Sequence, residues 1–589
     1  MFKKRKKILP TNLNKIRRRI DKVERAATRQ RKQILNRPTI VTKTIRYNVI
    51  VWLILVVFLI LLLVFQGIFY NYNNQTESPR SGGTYAEGIV GDITSFNPLY
   101  VKTNDEKALS SLVYSSLLKT DETNNISLDI ASSWKANNDG QNYSIKIRDD
   151  AYFHNSDKPV TVDDVLFTTK LIQDPLVQSP LYETWKNIEV KKISNDEIRF
   201  SLRTPLATFP WALNFGILSK DELKDIDHRQ LREHMTDNIV TGSGPFMFHN
   251  ISQSGAKNKI LYFTPNLYYY DGAPQVDAFH VETYSTSADL ISGFRDGEIN
   301  IASDIGLNEA QSINGKELHS TPINSGVFAI FNNERRNIKN SNVRQALRLA
   351  LNRDEIRQNA AVNGQPPNVL ETPIAPGTFN KIDKLSQPSY NTSEANRLLS
   401  SDGWQYNNDF KYVKNLSPLE INIVTVKDSD YVKVAEEIAD QWNEFGVDTK
   451  ITLADADNIQ QNFIMPRNYD VLLYRLELGG DSDVFSYWSS SKAKEQGLNL
   501  ANYKSAAADL QLARARTQIN NKERENTYKE FVNTWINDVP AIALFQSNLY
   551  YLKNDNINAW HDNSLVDKSA RFRDVNTFTV NISPVNKTP

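Results

Sequence analysis

Hydrophobic positions are unevenly distributed along the chain. From Val49 to Phe65 seventeen consecutive residues are apolar, and Gln66-Gly67-Ile68-Phe69-Tyr70 prolong the run. At about 1.5 Å rise per residue, a helix over residues 47–70 covers roughly 35 Å, enough to cross the hydrocarbon core of a bilayer. Trp52 at one end and Tyr70 and Tyr72 at the other suit the two interfaces. A buried core helix is the alternative, and the charge-free length argues against it. The basic stretch before the run is longer than a signal-peptide n-region and no small-x-small site follows, so the segment reads as an uncleaved signal anchor.

Beyond it the periods change. Gln75–Gly83 is polar, with Pro79, Gly82 and Gly83, and reads as a short flexible tether. Ile126 to Trp134 and Tyr143 to Arg148 predict a strand pair turning at Asn138-Asp139-Gly140. Thr161 predicts a helix cap, with Asp163 and Asp164 in the first turn, Val162, Val165 and Leu166 facing a core, and Pro175 as the stop. Leu419–Val426 predicts a strand. A helix follows with Val432, Ala435, Ile438, Ala439 and Trp442 on one face and Gly446 at its end. Val447, Thr449, Ile451 and Leu453 alternate as a second strand, and Tyr469–Tyr474 is a third. Strand–helix–strand order at this spacing implies parallel pairing in an α/β lobe. Ser341 predicts a cap for a helix through Val343, Leu347, Ala350 and Leu351. Tyr528, Phe531, Val532, Trp535 and Ile536 predict a helix that Pro540 breaks before a strand Ala541–Phe545. Trp134, Trp404 and Trp442 are read as packing residues.

Charge sharpens the division. The 589 residues carry a formal +1. Yet residues 1–46 hold 17 Lys and Arg against only Asp21 and Glu24, so the remainder is strongly acidic. By the positive-inside rule the basic segment stays in the cytoplasm and residues 71–589 face outward. Ile16, Ile20, Val23, Ala27 and Ile34 recur at helical spacing among its arginines. That fits an amphipathic helix on anionic lipid or, equally, a topology determinant with a solvated basic helix. No aromatic residues interleave the charges, which disfavours nucleic acid. A chain this long exceeds one compact core and predicts two or more lobes.

Candidate chemistry is sparse. With no cysteine there is no thiolate nucleophile, disulfide, cysteine metal site or lipidated cysteine tether. His154, His228, His234, His249, His280, His319 and His561 form no H-E-x-x-H and no i, i+4 pair. No phosphate-binding G-x-x-x-x-G-K-[ST] loop occurs, and Gly242-Ser243-Gly244 lacks nucleophile-elbow spacing. Asp455/Asp457 and Asp481/Asp483 lack the further ligands of a calcium loop and read as solvated-loop acids. The expectation is a protein without catalytic residues, metal or cofactor.

Six ordered segments carry a resemblance. GGTYAEGIVGDITSFNPLY (residues 82–100), DIASSWKANNDGQNYSIKIRDDAYFHNSDKPVTVDDVLFTTKLI (129–172), TGSGPFMF (241–248), NVRQALRLALNRDEI (342–356), SEANRLLSSDGW (393–404) and YDVLLYRLELGGDSDVFSYW (469–488) resemble family 5 of the extracellular solute-binding proteins, which serve oligopeptide, dipeptide and nickel ABC importers. The resemblance implies an α/β, two-lobed periplasmic-binding-protein-like fold of the large type II, with an extra subdomain, behind one N-terminal transmembrane helix. The implied division is a basic cytoplasmic segment (1–46), the anchor (47–70), a linker (71–83), a first lobe (84–325) with its subdomain at about 113–241, a second lobe (326–545), and a return to the first lobe (546–589). The anchor would replace the lipidated cysteine usual in single-membrane relatives.

The resemblance also implies a function: a small solute, with peptides first, captured by hinge closure and delivered to ABC permease and ATPase subunits by a monomeric receptor. Nickel chelates or oligosaccharides, and a permease-independent sensor or scavenger on the same fold, are the alternatives. Peptide binders of the family hold the peptide amine on an aspartate whose place here falls on Leu478 or Gly479. Glu477 and Asp481 are the nearest acids. Arg475 faces a ligand carboxylate or a surface acid. Ser95, Phe96 and Asn97, the loop Leu478-Gly479-Gly480, and Phe545-Gln546 complete the implied ligand-binding set; the commoner fate of Phe96 and Phe545 is core packing.

Overall fold

A computed structural model describes residues 19, 21–29, 40–233, 241–254, 258–427, 430–560 and 564–586. Residues 21–29 are helical, with Val23 exposed; Ile16, Ile20, Ile34, His234 and His561 lie outside the described residues. The helix α1 (Ile40–Asn74) contains the apolar stretch Arg46–Gln66, whose 21 residues are long and apolar enough to cross a membrane. The expected tether is different: α1 continues to Asn74, and Gln75–Arg80 is a strand paired with Asn581–Asn586. Polarity marked this segment as non-core without excluding an edge strand.

The body, residues 79–582, is organised on one ten-stranded sheet. Its strands in chain order are β1 (Thr84–Val90), β2 (Phe246–Ser254), β3 (Asn258–Pro265), β4 (Ala278–Tyr284), β5 (Ile301–Ile305), β6 (Leu318–Phe331), β7 (Glu420–Val426), β8 (Asp448–Ala454), β9 (Val471–Glu477) and β10 (Ala541–Lys553). Their spatial order is β8-β7-β9-β6-β10-β5-β1-β4-β3-β2. The expected parallel pairs are present: β7 runs parallel to β8, with Ile423 opposite Ile451, and parallel to β9. Along β6, Val327, Ala329 and Phe331 enter one core cluster while Phe328 and Ile330 enter another, as a strand buried on both faces requires. A third cluster fills the body around Tyr85, Phe279 and Phe572.

Local signals mostly hold. Thr161 and Asp164 form a reciprocal capping box at the start of the helix Val162–Gln173. Gly446 ends α6 (Val432–Phe445) in the left-handed region, at φ +105°. To number the other helices used below, α2 is Asn104–Val113, α3 is Val162–Gln173, α4 is Ser341–Leu349, α5 is Thr392–Ser401 and α7 is Asn521–Asp538. Four readings shift. Asn340, not Ser341, caps α4, accepting from the Asn342 amide at 3.0 Å. The first strand of the predicted pair is broken into Ile126–Leu128, paired with Leu118–Thr120, and Ala131–Ala136, paired with Asn142–Ile147. Trp134 is 38% exposed, with its ring beside Tyr143, on a strand whose outer face meets solvent. The strand after Pro540 is 13 residues long rather than five.

Two polar features set the position of the site. Glu87 on β1 is fully buried and accepts from Arg571 Nε at 2.8 Å, Ser303 Oγ at 2.8 Å and the Tyr85 hydroxyl at 2.8 Å. Asp105, at the start of α2, lies 2.8 Å from the same guanidinium, and α2 packs on the returning segment Lys568–Phe572. The second feature is Gly242-Ser243-Gly244, a packing joint: the Gly244 amide donates to Val113 O at 2.8 Å, and His154 donates to and meets the Gly242 and Gly244 carbonyls.

A Cβ at position 242 would stand 1.9 Å from Val113 O. Gly242→Ala therefore requires the backbone to move, at a cost of about 2–4 kcal/mol. We expect its melting temperature to fall by several degrees; an unchanged melting curve would show that the joint yields freely.

A candidate solute cleft

Helix α2, the subdomain and the returning segment enclose a cavity of about 370 Å³. Trp185, Trp211 and Tyr269 give it aromatic walls, and Lys107, Lys119, Asp129, Asp567 and Arg573 give it both signs of charge. Lys119 pairs with Asp271 at 2.6 Å. Asp129 is buried; its Oδ2 accepts from the Ser116 amide (2.7 Å) and hydroxyl (2.9 Å), while among the described residues no group donates to Oδ1. Burial pushes this carboxyl above its ordinary range, against the pull of Lys119. The volume falls at the lower end of the roughly 300–1,000 Å³ of small-molecule pockets, so it suits a solute of a few residues.

The segment after β9 packs against two residues of the cavity wall, Trp211 and Val566. Leu478 is buried and its amide donates to Asn324 O at 2.8 Å; Gly479, at φ +64°, accepts from Asn324 Nδ2 at 3.0 Å. These bonds present the Gly480 backbone so closely that a Cβ there would lie 2.1 Å from the Trp211 ring and 2.6 Å from Val566. Two more contacts join the same faces. The Ala207 amide donates to Arg516 O at 2.7 Å, and Gly140 lies against Ile519.

Arg475 and Glu477 pair with each other at 3.3 Å. Burial opposes the charge on Arg475, but Tyr431, Glu477, Asp304 and Asp430 outweigh it and hold its pKa above the usual value. Burial raises Glu477, with Arg475 pulling the other way and Asp567, Lys568 and Lys107 also within electrostatic reach. Burial likewise pushes Asp481 up to about 6; its Oδ1 accepts from the Asp483 amide at 3.0 Å. Asp483 itself pairs with Arg516 at 2.8 Å.

None of the expected ligand-binding residues is itself in the cavity wall; Gly480 comes nearest, against the wall residues Trp211 and Val566. The Thr94–Asn97 loop is bound to Glu106, which takes the Thr94 and Ser95 amides at 3.2 Å each, the Thr94 hydroxyl and the Lys102 amide. Burial raises the Glu106 carboxyl, and these bonds outweigh it and leave the pKa lowered. Ser95 and Asn97 shape the turn, Asn97 accepting from the Leu99 amide at 2.9 Å; Phe96 packs tilted against Phe248 and edge-on to Phe263. Pro98 and Val101 are the members of this stretch that line the cavity. Phe545 is a core side chain of the second lobe. Gln546 donates to Ile323 O at 3.0 Å and accepts from Asn368 Nδ2 at 3.1 Å, where β6 and β10 cross. The cavity residues that sequence reasoning passed over, Lys119, Asp129, Trp211, Asp567 and Arg573, are single polar or aromatic positions inside stretches read as scaffold.

The model for the middle region of bacterial extracellular solute-binding proteins, family 5, matches residues 125–497. The oligopeptide-binding protein AppA of Bacillus subtilis is 27% identical over 82% of this chain and 89% of its own length. The dipeptide-binding protein of Escherichia coli is 24% identical over 78% of this chain and 88% of its own. Solved structures share the fold. A substrate-binding protein of an ABC transporter from Listeria monocytogenes has a TM-score of 0.72 at 21% identity, covering 85% of this chain and 100% of that one. AppA of Bacillus subtilis with a nonapeptide has 0.66 at 24%, covering 85% and 99%. With the two-lobed sheet and the cleft between α2, Trp211 and the Gly480 loop in view, this chain belongs to the bacterial extracellular solute-binding proteins of family 5.

Proposed function

We propose that the chain is the membrane-tethered receptor of an ABC importer and that its solute is a short peptide. The observation that carries this reading is the approach of the Gly480 backbone to Trp211 and Val566 beside a cavity holding both acids and bases. A zwitterionic solute meets complementary charge there, and movement of one lobe against the other opens or shuts its path. The names of the relatives, an oligopeptide binder and a dipeptide binder, support the solute class. Arg475 is suited to a carboxylate; Asp129, Glu477 and Asp481, all raised by burial, are the candidates for the ammonium, which would restore their ionised forms.

The proposed division follows the sequence expectation: first lobe 84–325 with its subdomain, second lobe 326–545, and return 546–589. The hinge is placed where β6 and β10 lose register between Pro322 and Gly326. Residues 1–46 are cytoplasmic in this reading and α1 anchors the body outside. Permease and ATPase subunits are its partners, the receptor is monomeric, and it performs no catalysis. The anchor keeps it near the permease, where effective concentration replaces free diffusion.

Thermal unfolding of the full chain in detergent, with dipeptides to pentapeptides, tests this reading. A peptide at a hundredfold its Kd stabilises by about 2.7 kcal/mol, and the shift should vanish on N-acetylation. No shift with any peptide, together with one from a nickel chelate or oligosaccharide, overturns the solute class.

Asp481 gives a pH-dependent test. Its carboxyl titrates near 6 in the fold and near 4 when unfolded, so ionisation costs the folded state. Stability from this group is full below pH about 4 and is lost as pH rises through 6. Asp481→Asn should raise stability by about 1–3 kcal/mol at pH 7.5 and leave it unchanged at pH 4. Equal effects at both pH values would place the carboxylate in water.

A further inference from the structure

Arg344 and Arg348 sit one turn apart on α4 and both grip the C-terminal end of α7. Arg344 is saturated: it donates to Val539 O, Ile338 O, Lys339 O and Asp538 O at 2.6–2.9 Å. Arg348 is as deeply buried, at 5% exposure, but donates only from Nη1, to Ile536 O at 2.6 Å. Its Nε is buried with no partner, and no hydrogen bond leaves Nη2 among the described residues. Nε is shut off from the pocket, so Nη2 is the nitrogen of this guanidinium left to donate to an oxyanion.

That side chain lines a pocket of about 490 Å³ formed within the second lobe, away from the cleft. The N-terminal end of α5, capped by Asn391, opens into the same pocket and adds its positive dipole end. Arg348 and Arg353 lie in the field of a single carboxylate, Glu371, which Arg353 already holds at 3.0 Å, so the pocket floor carries an excess positive charge. The acid at the mouth, Glu394, is neutralised by Arg397 through two bonds of 2.8 and 2.6 Å. Leu349, Leu398 and the half-exposed Tyr390 make the remaining wall apolar.

We propose that this pocket is a second ligand site that takes a small organic carboxylate, an oxygen on Nη2 of Arg348 and its apolar body against Leu349, Leu398 and Tyr390. One guanidinium and a helix terminus match a single negative charge. A doubly charged phosphate would keep one charge unmatched there, and it gains nothing from the apolar wall. The site is independent of the peptide reading, because none of its residues borders the cleft.

Calorimetric titration of the full chain in detergent with sodium benzoate, and separately with inorganic phosphate, tests the assignment. Saturable benzoate binding is expected, weakened at least tenfold by Arg348→Lys, which keeps the charge but has no second nitrogen to donate into the pocket while the first holds Ile536 O. Tyr390→Ala, at an exposed position that leaves the fold intact, should weaken it about threefold or more. Peptide-induced thermal shifts should remain those of the parent in both variants. Absence of saturable benzoate heat, unchanged benzoate affinity in both variants, or a tenfold preference for phosphate over benzoate each overturns the proposal.

Discussion

Two strands hold the architecture together. β6 and β10 pair antiparallel from Leu318 opposite Leu552 to Ile330 opposite Ala541, and their register slips between Pro322 and Gly326 and again after Val327. Every other strand of the ten-stranded sheet is hydrogen-bonded outward from this pair, on one side through β9 and on the other through β5. Where the ladder slips, side chains take over. Gln546 bonds Ile323 O, Asn324 holds Gly479 O, and Asn368 bonds Gln546. A slip in the only pair spanning the middle of the sheet concentrates bending there and leaves the flanking lobes stiff.

The cleft inherits its shape from the buried pair Glu87–Arg571. A charge pair so deep is weak evidence for stability, since desolvation offsets much of its attraction. Its geometric role is firmer. Arg571 joins β1, the start of α2 and the returning segment, and the cavity wall is made from those last two elements. More than two hundred residues separate the end of β6 from the returning segment; the buried guanidinium fixes where that segment lands.

Legibility in the sequence followed the range of the interactions. Elements specified by their own neighbours were readable: the Thr161 cap, the stop at Gly446, the parallel β7–β8 pair and the apolar span of α1. Readings failed where a distant partner decides. Trp134 looks like core by residue type, but its strand faces water. One local choice also went the other way: Asn340, of equal capping preference, takes the place of the adjacent Ser341. The resemblance implies Ser95, Phe96 and Gln546 at the ligand, and the contacts they make within the protein are with Asn97, Phe248 and Ile323. Lys119, Asp129 and Arg573 could not be singled out in advance, since each gains its meaning from residues far away in the chain.

The contact of Gly480 with Trp211 is protein on protein. No solute atom takes part in it, so its share of the closing free energy is the same for a loaded and an unloaded receptor. A favourable share of this kind raises affinity, because less of the solute's binding energy goes into moving the lobes. It also raises the fraction of unloaded molecules that adopt the shut outline. A permease reading outline alone would then run unproductive nucleotide cycles in proportion to that fraction. Discrimination between cargo and no cargo accordingly falls to dwell time: the loaded receptor stays shut long enough to be engaged, and the unloaded one reopens first.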